Sequence, residues 1–121
     1  MMSANQERYL WEIYTNVNKE GFIRVSQLAK SLQVSVSSVS KRAKKLNEEE
    51  LVEFQRYGMI TLTEKGREVG KRLSANHDVL VRFFQLIDVE KDRIEEEVNN
   101  IEFYLNNDVI EKIALFLLNR D

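Results

Sequence analysis

The 121-residue chain has length for one good core, or for one compact core with a dimerisation element. It has no cysteine, which excludes disulfides, zinc–thiolate sites and thiol chemistry; no proline and only four glycines interrupt it, so helices should dominate. Its formal net charge of −2 is unevenly spread: residues 21–47 carry Arg24, Lys30, Lys41, Arg42, Lys44 and Lys45 without one acid, whereas residues 73–121 hold five basic and eleven acidic side chains.

Ala4 to Lys19 reads as an amphipathic helix with Leu10, Ile13, Tyr14 and Val17 on one side, ended by Gly21. Phe22 to Val25 is β-prone. Ser26 is expected to cap a brief helix from Gln27 to Leu32, with Leu28, Ala29 and Leu32 inward. Gln33 to Ser35 makes a turn, and a second helix runs from about Val36 to Glu49 with Val39, Ala43 and Leu46 inward. Leu51–Phe54 and Met59–Leu62, separated by four residues from Gln55 to Gly58, suggest a hairpin. Thr63 should cap a long helix reaching Ile87, with Glu64 in its favourable first turn. After a break at Asp88, helical spacing returns from Glu90 to Leu105 and from Asp108 to Asn119.

This order predicts a mainly α protein: a winged helix-turn-helix N-terminal domain over residues 1–72 and a helical dimerisation domain over 73–121. Ala29, Leu32, Val34, Val39 and Leu46 supply the small or apolar residues that two crossing helices require. The outer face of the second helix then carries Ser37, Ser38, Ser40, Lys41, Arg42, Lys44 and Lys45. Hydroxyls and cations at that spacing suit double-stranded DNA, with Ser37, Ser38, Lys41 and Arg42 toward the major groove and Lys44, Lys45 and the wing-tip Arg56 toward phosphates. A lysine-rich helix face alone is ordinarily just solvated; its place inside an acid-free window is what points to nucleic acid.

Tyr9-Leu10-Trp11-Glu12-Ile13-Tyr14, Val25-Ser26-Gln27-Leu28-Ala29, Ser37-Ser38-Val39-Ser40 and the run from Leu62 to Gly70 resemble the diphtheria toxin repressor family, and within it the manganese transport regulators. The resemblance covers nearly the whole chain and leaves no room for the third, SH3-like domain of some members. It implies a homodimer on a pseudo-palindromic operator, activated by manganese or iron. It also implies metal ligands in an Asp-x-x-Glu pattern in the first helix, a histidine in the linking helix, and Glu-x-x-Glu-His in the next.

Here the first pair is Arg8 and Trp11, the histidine is His77, and the third motif is Asn99-Asn100-Ile101-Glu102-Phe103. Only His77 and Glu102 remain as good ligand types, so no metal cofactor is expected. Instead Arg8 is expected to pair with Glu102 in place of the ion, with His77 neutral and accepting a hydrogen bond and Trp11 packed on Phe103. Ile94, Val98, Ile101, Leu105, Ile113 and Phe116 are expected to close the dimer, because these helices look too few for a core of their own.

The reading is thus a cytoplasmic, homodimeric DNA-binding regulator, a repressor, without metal activation. It has no membrane segment, no signal peptide and no small-molecule substrate. One histidine and no phosphate loop leave little material for an enzyme. One alternative keeps a manganese- or iron-responsive repressor with a rearranged site using His77, Glu102 and Asp78. Another is a winged-helix module that docks a protein.

Overall fold

A computed structural model describes residues 2–120. The chain divides into two compact units, Met1–Lys71 and Arg72–Asp121. In the first, α1 (Ala4–Asn16) is opened by a reciprocal cap: Ser3 Oγ accepts the Gln6 N–H at 3.1 Å, and Gln6 Oε1 accepts the Ser3 N–H at 3.0 Å. The helix stops short of the expected Lys19. Asn18 Oδ1 accepts the N–H groups of Glu20 and Phe22, a local bond that competes with the helical ladder, and Gly21 completes the turn at φ 89°.

Strand β1 (Phe22–Arg24) leads directly into α2 (Val25–Leu32). The expected cap at Ser26 is corrected: Arg24 is the N-cap residue, its N–H donating to Gln27 Oε1 at 2.9 Å. Val25 is buried, and bringing it into the core starts the helix before the better capping residue is reached. Gln33, at φ 57°, ends α2 in the left-handed region. Ser35 then caps α3 (Val36–Glu48) by accepting the Ser38 N–H at 3.1 Å.

Strands β2 (Val52–Phe54) and β3 (Met59–Leu62) form the expected hairpin, and β1 joins its far side, giving an antiparallel sheet of order β1-β3-β2. Leu10, Ile13, Leu28, Val39, Leu46, Val52 and Ile60 are fully buried at its centre. Each such side chain contributes about 1.5–3 kcal/mol. Val34 is a correction: assigned to the helix-crossing core, it is 39% exposed, because the left-handed Gln33 turns the chain outward before it.

Thr63 caps α4 (Glu64–Leu86), its Oγ1 accepting the Gly66 N–H at 3.0 Å and donating to the Glu50 carbonyl at 2.6 Å. The later turns of α4 belong to the second unit, with α5 (Lys91–Ile101) and α6 (Asn107–Leu118). Helix α5 ends before the expected Leu105; two asparagines, poor helix formers, occupy its last turn, and residues 102–104 form a turn instead.

Leu80, Ile94 and Val98 form a buried cluster against which Ile101, Leu105 and Ile113 also pack. The premise that these helices cannot close a core is therefore corrected. Ile94 and Val98 are covered within the chain itself, while Phe116 stays 42% exposed beside Leu115 and Leu118 on α6. No helix among the described residues is long and apolar enough to cross a membrane.

Candidate nucleic-acid interface

Helix α3 buries Val39, Ala43 and Leu46. That inner stripe fixes what the helix shows to solvent: Ser37, Ser38, Lys41, Lys44 and Lys45 are exposed, and Ser40 and Arg42 are half-buried. The seryl hydroxyls at its start are already organised, Ser35 Oγ lying 3.1 Å from Ser37 Oγ and donating to Ser38 Oγ at 2.8 Å. Arg42 lies with its guanidinium carbon 5.8 Å from the Tyr9 ring centroid, so α1 holds it in place.

At the wing tip Arg56 is exposed, and Tyr57, at φ 63°, is 89% exposed. Arg24 Nη1 donates to the Tyr57 carbonyl at 3.1 Å, which ties the tip back to β1. Sequence reasoning missed both Tyr57 and Arg24 as members of this face. An aromatic residue inside a four-residue hairpin connection, with no apolar partner in the alternation, was the available signal for Tyr57. Arg24 carried none beyond its charge.

A concave stretch of the same unit, about 530 Å³, lies between α1 and α3 and is lined by Arg8, Tyr9, Leu32, Val34, Lys41 and Lys45 among others. Arg8 is thus placed on a basic surface of the first unit. Trp11, three residues on, stacks with Tyr14 at 6.3 Å between ring centroids.

In the second unit His77 and Glu102 are brought together. His77 Nδ1 is 2.6 Å from Glu102 Oε2, and Nε2 is 3.2 Å from Glu95 Oε2. Glu102 and Phe103 are buried, while Glu95 is exposed. Against a carboxylate, which only accepts, Nδ1 is the donor, where the expectation gave His77 an accepting role.

The hydrogen bond to Glu102 holds the His77 pKa above its ordinary value of 6.5, against the opposing effect of burial, and the charges of Glu102, Glu95 and Asp78 add to it. Protonated His77 therefore stabilises the fold. That contribution is complete below about pH 6.5, the unfolded value, and is lost as pH rises through the raised native one. The thermal midpoint is expected to fall across this window relative to His77→Gln, which has no proton to lose. Parallel curves for the two proteins would remove the charged pair.

A metal-bound imidazole must be neutral with one bare nitrogen. Both His77 nitrogens instead face carboxylates, Asn99 offers only an amide and Phe103 no donor at all. Among the described residues no cluster of three or more histidine, aspartate or glutamate side chains is arranged to hold an ion. The donor set present does not fit a divalent metal at these positions.

Comparisons with known proteins match both parts of the chain. The family model for the iron dependent repressor N-terminal DNA binding domain matches residues 1–60, and that for the iron dependent repressor metal binding and dimerisation domain matches residues 63–121. The chain is 36% identical over 114 residues to the HTH-type transcriptional regulator MntR of Geobacillus kaustophilus, covering 94% of this chain and 81% of that protein. It is 35% identical over 114 residues to MntR of Bacillus subtilis, covering 94% and 80%. Among solved structures, the manganese regulator SloR superposes with a TM-score of 0.75 at 30% identity, over 96% of this chain and 54% of that one. This chain therefore spans about half the length of SloR.

Proposed function

The chain belongs to the iron dependent repressor family, and from that premise we propose that it represses transcription as a homodimer on a pseudo-palindromic operator without a divalent metal as its activator. DNA binding comes with the family. Metal independence rests on one observation: both ring nitrogens of His77, the histidine at the family's ligand position, face carboxylates. When His77 is protonated, it sets a positive charge at Glu102, as an ion does in the family pattern.

Arg8, Trp11, Asn99 and Phe103 stand at the other positions where the resemblance places ligands, and none of them is a carboxylate or an imidazole. The dimer forms through α5 and α6. Because Ile94 and Val98 are already covered, Phe116 with its exposed neighbours Leu115 and Leu118 carries the pairing rather than the whole set predicted from spacing.

Isologous pairing would set the two α3 helices about one DNA turn, roughly 34 Å, apart.

Chelator-treated protein is expected to select an operator from a DNA library, with affinity changing less than threefold on adding manganese, iron or zinc. Stoichiometric metal binding accompanied by a tenfold or greater gain in DNA affinity would overturn metal independence.

A further inference from the structure

The concavity between α1 and α3 has a composition that DNA binding alone does not require. Arg8 comes from α1, and Lys41, Arg42 and Lys45 from α3; no acid lines it. The same lining includes apolar surface from Leu32 at the end of α2 and from Val34 in the turn, the residue that the helix-crossing pattern placed in the core. Asn5 and Ser38 supply neutral polar groups at its rim.

Cations and aliphatic surface in one concavity match a molecule with phosphate at one end and a flat, less polar body at the other. Its volume of about 530 Å³ falls within the range of small-molecule sites, roughly 300–1,000 Å³. Arg42 is held over the Tyr9 ring, so its planar fork is already oriented, which lowers the entropy lost on engaging a phosphate.

We propose that this groove binds a nucleoside phosphate, its phosphates on Lys41, Arg42 and Lys45 and its base against Leu32 and Val34. Lys41, Arg42 and Lys45 also belong to the face assigned to DNA. A bound nucleotide and the DNA therefore compete for the same cations, and the ligand releases the operator. This competition rests on the DNA-binding reading above; occupancy of the groove does not.

The test titrates the full chain with adenosine diphosphate in a calorimeter at fixed ionic strength, with inorganic pyrophosphate and sulfate as parallel probes. Saturable binding of one diphosphate per chain is expected, at least tenfold weaker in the Lys41→Ala/Lys45→Ala double variant. Lys30→Ala removes a cation of the same unit that does not line the groove, and it should bind like the parent. Pyrophosphate should bind more weakly than adenosine diphosphate, and sulfate should not saturate. Equal losses in Lys30→Ala, or pyrophosphate binding as tightly as the nucleotide, overturn the assignment, since either means a diffuse basic field rather than a site. Absence of saturation overturns it as well.

A second arm measures displacement of operator DNA by the nucleotide. Failure of the parent chain to bind any DNA would refute the functional reading while leaving the calorimetric answer intact. Nucleotide binding without displacement would refute the competition.

Discussion

Replacing Gly66 by alanine is expected to destabilise the first unit by about 3 kcal/mol or more, and to lower its thermal midpoint by roughly 10 °C or more. Gly66 lies in the first turn of α4, where an alanine would ordinarily improve a helix by about 1 kcal/mol. The packing opposes this. A Cβ built on Gly66 lies 2.0 Å from the Leu51 carbonyl oxygen and 3.0 Å from its carbon, both backbone atoms.

That carbonyl cannot swing aside cheaply, because it accepts the Thr63 N–H at 3.2 Å, and Thr63 Oγ1 reaches the neighbouring Glu50 carbonyl. The helix start is thus docked backbone to backbone on the end of α3 and the entry to the wing. Gly21→Ala provides the contrast. Nothing lies within 4 Å of its Cβ, but its φ of 89° disfavours a side chain, and about 1 kcal/mol is expected. Differential scanning calorimetry of the two variants decides the ranking. A Gly66→Ala loss no larger than that of Gly21→Ala would mean that α4 can shift off Leu51 at little cost.

The same contrast marks what the sequence could and could not disclose. The order of elements was legible because apolar spacing is a one-dimensional signal: Val39, Ala43 and Leu46 recur at helical period, and the β-prone runs flank a turn. Helix ends were less legible. Asn18 terminates α1 through side-chain bonds, and Val25 is drawn into the core one residue ahead of the serine that looked like the cap.

The basic face of α3 was visible as charge, but its concavity was not, since it depends on Arg8 and Val34 lying beside α3 in space. For His77 the chemistry of the replaced positions pointed to a missing ion. Its carboxylate surroundings could not be read, because Glu95 as well as Glu102 faces the ring only once α5 packs beside α4.

Reversing two charges, Lys41→Glu with Lys44→Glu, is expected to reduce operator affinity by more than a hundredfold while leaving far-UV dichroism and the dimer unchanged. Both side chains are exposed and lie opposite the Val39–Ala43–Leu46 stripe, so the fold has little stake in them. Arg42 is a poorer choice for this experiment: it stacks on Tyr9, and its loss would mix a packing change with a recognition change. Ser38 is unsuitable for a similar reason, since its hydroxyl belongs to the cap network of α3.

Losing the phosphate-facing Lys44 as a cation would also lower the salt dependence, with the slope of log affinity against log salt falling by about one, and by more if Lys41 reaches a phosphate as well. A repulsive glutamate in their place adds a further penalty that alanine does not. The pair Lys41→Ala/Lys44→Ala should therefore fall between parent and reversal. This ordering separates DNA recognition from a module that docks an acidic protein. Both would lose affinity on reversal, but only a polyanion with condensed counterions gives a salt slope that falls stepwise with each lysine removed. Unchanged operator affinity in the double reversal would remove α3 as the recognition helix, and with it the assignment of Ser37, Ser40 and Lys45 to the same face.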